Sequence, residues 1–169
     1  MTSQEMFDVS TVHMIRQGRR AVSEGVGGTC LYRTEDGLKC AVGILIPDSE
    51  YEPWMDTAGS ILEVLKTAQR ENRMTPVLSG LQEHSQLLIR LQEAHDHAAL
   101  WEDGMSGLAL ILREIAVLFD LNTDAMDAAV AAEMDAAVAA EKADMDAALA
   151  AEKADMDAAL AAAKADMDA

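Results

Sequence analysis

The C-terminal quarter of the chain is built from an eleven-residue unit in tandem. The unit reads MDAAVAAEKAD from Met134, MDAALAAEKAD from Met145 and MDAALAAAKAD from Met156. A copy from Met126 lacks the last three residues, and a fragment MDA follows from Met167. Internal repeats constrain the architecture of a segment more than any single residue does.

Eleven residues correspond to three helical turns, so every position of the unit returns to nearly the same face of a straight helix. The unit consists of strong helix formers, and no glycine or proline interrupts it. The sequence therefore predicts one continuous helix from about residue 124 to 168, roughly 65 Å long at 1.5 Å per residue.

This helix has two distinct faces. Each methionine shares a narrow ridge with the valine or leucine four residues later, flanked by the glutamate and the lysine. The opposite face is alanine, represented in one unit by Ala147, Ala150, Ala151 and Ala154. Two interpretations stay open: a solvated single helix, or a helix that self-associates into a bundle or coiled coil through the alanine face or the ridge.

Charge separates this tail from the rest of the chain. The 169 residues carry 30 acidic and 13 basic side chains, a net charge of −17, of which −9 falls in residues 122–169 and −8 in residues 1–121. An acidic chain repels phosphate backbones, so we expect no direct nucleic-acid binding and no docking to anionic membranes. No apolar run reaches about 18 residues and no secretory signal is visible, so we expect a cytoplasmic protein.

The remaining residues, 1–121, predict a small globular domain. Helical spacing of apolar residues indicates a first helix from Gln4 to about Val22, with Ser3 able to cap it. A glycine-rich connection, residues 25–28, follows. Two β-prone runs around a turn at residues 35–37 then predict a β-hairpin over about 29–47.

Three further helical patterns follow a polar, aromatic-bearing loop at residues 47–56. They cover about 58–71, 79–101 and 106–119, and the last is apolar nearly all round, which predicts a buried central helix. The expected fold class is α+β: a mainly helical domain (1–121) with one β-hairpin, followed by a long repeat helix (122–169).

The hairpin sequence CLYRTEDGLKCAVGILIPDSEY, residues 30–51, together with LQEAHD at 91–96 and Trp101, resembles a family of small uncharacterised bacteriophage and prophage proteins. Their pattern is approximately CxYR, GxKCAxG and LIPDxxY, followed by AHD. The resemblance covers residues 4–121 and excludes the repeat tail. It implies a phage setting and a shared fold, transfers no catalytic residue, and departs at Ile44, where family members often have cysteine.

Residues with catalytic or metal-binding chemistry do not form a recognisable motif. Cys30 and Cys40 lie on opposite arms of the predicted hairpin, and in a reducing cytosol we expect free, buried thiols instead of a disulfide. Nine intervening residues do not make a zinc knuckle, so we expect no metal site and no cofactor. His95 and His97 cannot face one site on a helix, and a surface or interhelical role is the simpler interpretation. We expect no catalytic residue and a non-enzymatic protein.

A local basic patch is the candidate ligand site, because the end of the first helix would approach the hairpin. Its residues are Arg16, Arg19, Arg20, Arg33 and Lys39, with the aromatic residues Tyr51 and Trp54 nearby. Such a patch could hold a phosphate or an acidic partner. The alternative is that the arginines pair with Glu24, Glu35 and Asp36 and that Trp54 caps the core.

Two functions are consistent with these features. The first is a phage accessory protein that binds, either sequestering a nucleotide signal or inhibiting a host defence protein, with helices that oligomerise. The second is a structural or assembly protein whose repeat helix drives polymerisation. The expected partners are a second copy of the chain and a host protein or small anionic ligand.

Overall fold

The computed structural model describes residues 1–23, 29–102 and 105–167, with side chains except at Met105 and over 157–167. Within these residues lie seven α-helices and two short 3₁₀-helices. The α-helices are α1 Ser3–Gln17, α2 Trp54–Ala58, α3 Ile61–Arg70, α4 Pro76–Glu83, α5 Ser85–Asp96, α6 Met105–Leu118 and α7 Asp124–Met167. The 3₁₀-helices are Gly43–Leu45 and Ala98–Trp101. The mainly helical character is confirmed, whereas the predicted glycine-rich connection at 25–28 lies outside the described residues.

The predicted α+β fold class, with a β-hairpin over 29–47, is wrong. The described part of that segment contains no strand, only isolated antiparallel bridges that join Val22 to Cys30 and Arg33 to Lys39. The turn itself forms, with Gly37 at φ +87°. Beyond the Arg33–Lys39 bridge the two arms of the turn do not continue as a ladder.

The second arm winds into a 3₁₀-helix because consecutive residues of it are buried. Cys40, Ala41 and Val42 are each 0% exposed, whereas a hairpin strand turns alternate side chains to opposite faces. Gly43 makes the turn sterically feasible, since a Cβ there would lie 2.0 Å from the carbonyl oxygen of Tyr32. The chain therefore folds against Tyr32 at Gly43 instead of extending.

Local signals explain where α1 begins and ends. Thr2 caps the helix and forms a capping box with Glu5, so the capping residue is one position before the predicted Ser3. Gly18 adopts a left-handed conformation at φ +65° and ends the helix, four residues before the predicted end at Val22. A left-handed glycine at this position is a common helix terminator.

The helix predicted over 79–101 is divided in the structure. α4 ends and α5 begins at His84, whose backbone leaves the helical conformation with φ −113° and ψ 19°. Its ring Nδ1 lies 2.9 Å from the hydroxyl oxygen of Ser3. This hydrogen bond holds the end of α4 beside the start of α1. Thr75 caps α4 and Pro76 opens it, a start signal that lies upstream of the predicted boundary.

The helix α6, predicted to be a buried central helix, is buried on one face and exposed on the other. Leu108 and Leu112 are 0% exposed, whereas Leu110, Val117 and Leu118 are 57%, 83% and 65% exposed. The inner face packs against α5 and α1. Composition alone did not reveal that the outer face of this helix has no covering element among the described residues.

The chain divides into two compact units, Met1–Val130 and Ala131–Ala169. The predicted boundary was at residues 121–122. The folded unit extends further because Met126 and Ala129, in the first copy of the repeat, are 0% and 4% exposed. Over residues 131–167 the second unit lies within α7, so the prediction of a continuous repeat helix is confirmed for the described residues.

Among the described residues, no helix combines the length and the apolar character needed to cross a bilayer.

Candidate functional site

Three of the seven predicted ligand-binding residues meet in one place. The turn at 34–37 brings Arg33 and Lys39 side by side through their antiparallel bridge, and directly paired side chains share a face. Both donate to the carboxylate of Asp48, from Arg33 Nη1 and from Lys39 Nζ at 3.1 Å. The Arg33 guanidinium also lies over the Tyr51 ring, 4.7 Å from its centroid. We call these four residues the Arg33 cluster.

The cations of the cluster are partly buried, whereas its anion is exposed. The side chains of Arg33 and Lys39 are 14% and 25% exposed, whereas that of Asp48 is 82% exposed. Hydrogen bonds from Lys39 and Arg33 lower the pKa of Asp48 from its ordinary value. Arg33 also donates to the Ile46 carbonyl, and its Nε atom is buried without a partner in the described part of the chain.

Asp56, on α2, holds the aromatic side of the cluster in position. Its carboxylate accepts a hydrogen bond from the Tyr51 hydroxyl and another from the backbone N–H of Tyr32 at 2.6 Å. Burial, followed by the hydrogen bond to Asp56, raises the pKa of Tyr51 to about 12. Tyr51 is therefore a neutral hydrogen-bond donor at physiological pH.

The three arginines of α1 and of the segment after it make contacts in three different parts of the folded unit. Arg19 pairs with Asp36 at 3.3 Å on the surface, which is one of the alternative pairings expected from the sequence. Arg20 donates from Nε to the backbone carbonyl of His95 at 3.2 Å. Arg16 lines a shallow surface cavity beside His13. The approach of α1 to the turn is real, since the His13 ring lies 2.9 Å from a backbone carbonyl of that segment.

Trp54 belongs to a separate contact. Its ring lies 5.6 Å from the guanidinium carbon of Arg73, and Arg73 also contacts Glu52 at 3.6 Å. Trp54 is half-buried and packs against the hydrophobic core. The sequence alternative in which Trp54 covers the core therefore agrees with this geometry.

A second polar cluster lies around His95, which the sequence did not identify as a buried residue. His95 is 0% exposed. Its Nδ1 lies 2.9 Å from an Asp96 carboxylate oxygen and 3.2 Å from the sulfur of Cys30. Its carbonyl accepts hydrogen bonds from Arg20 and from Trp101 Nε1, the latter at 3.0 Å. The cluster thus ties the end of α5 to three other segments.

The three side chains of Cys30, His95 and Asp96 bring sulfur, nitrogen and oxygen atoms within 4.8 Å of one another, a donor set that zinc accepts. However, the backbone N–H of Ala21 donates to His95 Nε2 at 3.1 Å. Nε2 therefore carries no proton, and the proton of neutral His95 is on Nδ1. A histidine that binds a metal through Nδ1 donates its other N–H to an acceptor, so this arrangement does not fit a metal.

The cysteine of this cluster has the properties of a structural thiol. Cys30 and Cys40 are both free, as expected for a reduced protein. The neighbouring Cys40 side chain is the largest factor that raises the pKa of Cys30, followed by burial. A raised pKa keeps the thiol neutral, and the neutral thiol is a poor nucleophile.

Two signals in the sequence indicate the burial of His95 and the position of Asp48, neither of which was predicted. His95 follows Leu87 and Leu91 at four-residue intervals on α5, which places it on the buried stripe of that helix. Asp48 directly follows Pro47, which ends an apolar run, so the sequence places an acidic residue where the second arm of the turn ends. The pairing of Asp48 with Arg33 and Lys39 depends on tertiary structure and has no local signature.

The chain was compared with protein-family models, with curated proteins and with solved structures, and none of them matches it. Functional inference therefore rests on the geometry of the side chains described above.

Proposed function

We propose that the folded unit, Met1–Val130, binds a small anionic ligand at the Arg33 cluster. The observation that supports this proposal is the convergence of Arg33 and Lys39 on one carboxylate, Asp48, that is itself 82% exposed. A carboxylate held jointly by arginine and lysine lies where a ligand phosphate or carboxylate would be held. Asp48 itself is exposed to solvent, so its carboxylate keeps its hydration when a ligand anion replaces it beside Arg33 and Lys39.

Tyr51 favours a nucleotide as the ligand class. The Arg33 guanidinium carbon lies 4.7 Å from the centroid of this ring, a cation–π contact that holds the guanidinium beside an aromatic side chain. A nucleotide combines phosphate oxygens for the cations with a flat base that stacks on aromatic and guanidinium surfaces. Neighbouring cationic side chains, such as Arg19, would strengthen the attraction for a polyphosphate.

In this proposal the protein is a non-enzymatic accessory protein of a bacteriophage that acts in the host cytoplasm by sequestering a nucleotide signal. The same residues would meet the acidic surface of a host defence protein if the target is a macromolecule. Both variants use the Arg33 cluster as the contact surface, and neither requires a cofactor.

The test is to incubate the purified protein with a nucleotide extract of the host, remove unbound material, denature the protein and identify what is released by mass spectrometry. We expect a nucleotide to be released. Lys39→Gln should weaken its binding about tenfold, or about 1.4 kcal/mol, and Asp48→Asn should strengthen it by removing the competing carboxylate. Lys66→Gln is the matched control, because Lys66 makes a surface pair with Glu63 at 2.7 Å on α3.

Two results would contradict the proposal. One is a protein that releases no nucleotide from any host extract. The other is equal binding by the Lys39→Gln and Lys66→Gln variants, provided that circular dichroism shows both to be folded.

Assembly through the repeat tail is the second candidate function, favoured by large apolar side chains that stay exposed along α7. They are Met134, Val138, Met145, Leu149 and Met156, each between 62% and 67% exposed. Burying such side chains between copies contributes roughly 1.5–3 kcal/mol for each one that becomes fully buried. Light scattering on the full chain and on a chain that ends at Val130 tests this function. An unchanged number of copies per particle would exclude it.

A further inference from the structure

The exposed apolar residues of the tail form one continuous line. This Met-Val/Leu ridge consists of Met134, Val138, Met145, Leu149 and Met156, and their exposed fractions differ by only five percentage points, from 62% to 67%. Because these positions recur every eleven residues, or three helical turns, the ridge stays on nearly the same face along the described tail. A surface of this kind is complementary to an identical surface on a second copy of the chain.

The same type of residue does pack when a partner surface is present. Met126 starts the first copy of the repeat and is 0% exposed within the folded unit, and Val130, four residues later, is half-buried there. Methionine packs well against irregular surfaces because its side chain is unbranched and flexible. In this first copy the methionine and the valine therefore lie on the packing face, together with Ala129 beside them, which is 4% exposed.

Charged residues border the ridge asymmetrically. Glu141 lies four residues before Met145, and Lys142 lies four residues after Val138, so the two charges lie on opposite sides of the ridge. Glu152 and Lys153 repeat the arrangement one unit later. One border of the ridge thus carries glutamates, and the other carries lysines next to the ridge, each followed four residues later by an aspartate further round the helix.

This asymmetry distinguishes the two ways in which identical helices can pair. When the helices are parallel, two-fold symmetry places the acidic border of one copy opposite the basic border of the other. When they are antiparallel, the acidic borders face each other and so do the basic borders. Like charges across an interface are unfavourable, so the charge pattern favours the parallel arrangement.

The alanine face lacks this complementarity. In the unit that starts at Met145 the charged residues nearest to the alanine face are aspartates, Asp146 on one side and Asp144 and Asp155 on the other. Pairing through this face would bring aspartates of the two copies together in either orientation. Alanine also buries less apolar area than methionine and leucine do.

We propose that the tails of two copies of this chain pair through the Met-Val/Leu ridge, parallel and in register, with each glutamate border against the partner's lysine border. The proposal rests on the assembly function proposed above and specifies its geometry. A parallel pair places both folded units at the same end of the paired tails. The assembly is then a closed dimer instead of an open polymer.

Cysteine cross-linking of the full chain tests the orientation. Met134→Cys and Met156→Cys lie 22 residues apart on the ridge, and in a parallel pair each meets its own copy. We expect both single variants to form covalent dimers under mild oxidation with glutathione disulfide. Ala147→Cys, on the alanine face, is the control and should stay monomeric on a non-reducing gel, as should the unmodified chain with Cys30 and Cys40.

The outcomes distinguish assembly of the tails from their parallel pairing through the ridge. A full chain that light scattering finds monomeric at every concentration overturns assembly and this inference together. A dimer in which only one of the two ridge variants cross-links, or neither does, is not a parallel pair in register through the ridge, and overturns the inference while leaving assembly intact. A dimer that cross-links through Ala147→Cys uses the alanine face and overturns it as well.

The charge borders have a separate test with matched net charge. Replacing Lys142 and Lys153 together by glutamine makes each chain more negative by two charges, and so does replacing Ala136 and Ala147 together by glutamate. We expect the first pair to weaken dimerisation roughly fivefold to tenfold, whereas the second pair should change it less than about twofold. Equal weakening by both pairs would show that only net charge matters and would overturn the role of the borders.

Discussion

The folded unit and the repeat tail use the same residue types for opposite purposes. Met126 is 0% exposed in the folded unit, whereas Met145, at the same position of the repeat, is 62% exposed in the tail. In the folded unit, side chains from residues far apart in sequence decide whether a segment is stable. In the tail, helix propensity within each turn suffices. The difference shows that a residue's role follows from its surroundings as much as from its pattern.

Polar side chains show the same contrast. In the folded unit, His95 joins residues as distant as Ala21, 74 positions away, through a hydrogen bond of 3.1 Å. The charged side chains of the described tail are exposed, and their neighbours in sequence are their nearest possible partners. Substitutions should therefore be costly in the first region and nearly neutral for stability in the second.

Matched methionine substitutions should give the largest difference. Met126→Ala removes a fully buried side chain and should lower the free energy of unfolding by about 3 kcal/mol, since large-to-small changes in a core leave a cavity. Met145→Ala should change it by less than about 0.5 kcal/mol. Urea denaturation followed by tryptophan fluorescence measures both, because Trp54 and Trp101 are in the folded unit. Equal effects would refute the division of roles between the two regions.

Alanine is the commonest residue of the tail, but it should be damaging at one position of the folded unit. Gly43→Ala would place a Cβ 2.0 Å from the Tyr32 carbonyl oxygen, and we expect a loss of about 2.5 kcal/mol from the resulting backbone shift. Gly80→Ala is the control. It lies inside α4 with no atom within 4 Å of the added Cβ, so helix propensity should increase stability by about 0.5–1 kcal/mol.

The hydrogen bonds around His95 should contribute somewhat less. His95→Leu leaves the Ala21 N–H without an acceptor and removes the donor that faces Asp96, so we expect a loss of about 2 kcal/mol. His97→Leu, two residues later and exposed, should cost less than about 0.5 kcal/mol. Thermal unfolding of the two variants side by side measures the difference. A harmless His95→Leu would show that this cluster does not support the fold.

The dependence of stability on pH should be the smallest difference between the folded unit and the tail. Burial lowers the pKa of His13 below its ordinary value, so between its folded and unfolded pKa values the unfolded chain binds more protons. The stability of the folded unit should fall as the pH drops through about 6.5, the unfolded value. His13→Gln should reduce this dependence. The tail, residues 131–169, contains no histidine, so its helical circular dichroism provides the reference.

Much of the fold could be predicted because its signals are local. The eleven-residue repeat, the turn at 35–37 and most helical segments depend on residues within a few positions of each other. The error at Gly43–Leu45 arose because alternating apolar residues are equally compatible with a strand and with a buried turn. The contact between Gly43 and Tyr32, eleven residues apart, decides between them.

The candidate site was predicted only in part for the same reason. Arg33, Lys39 and Tyr51 were identified by charge and aromatic character, and the structure brings them together. Asp48 was missed because an acid after a proline is ordinary in a loop, and its role appears only when two cations converge on it. Arg20 and Trp54 have other contacts, with the His95 carbonyl and with Arg73.

The sequence by itself determined the helix of the tail, its two faces and the separation of charge between the regions. Periodicity and propensity act over one or two turns, so these properties need no tertiary contact. Only the tertiary structure decided that Met126 belongs to the core and that His95 is buried. It also decided that the outer face of α6 is exposed and that the second arm of the predicted hairpin winds into a 3₁₀-helix. Each of these outcomes depends on which distant side chain or backbone atom occupies the adjacent space.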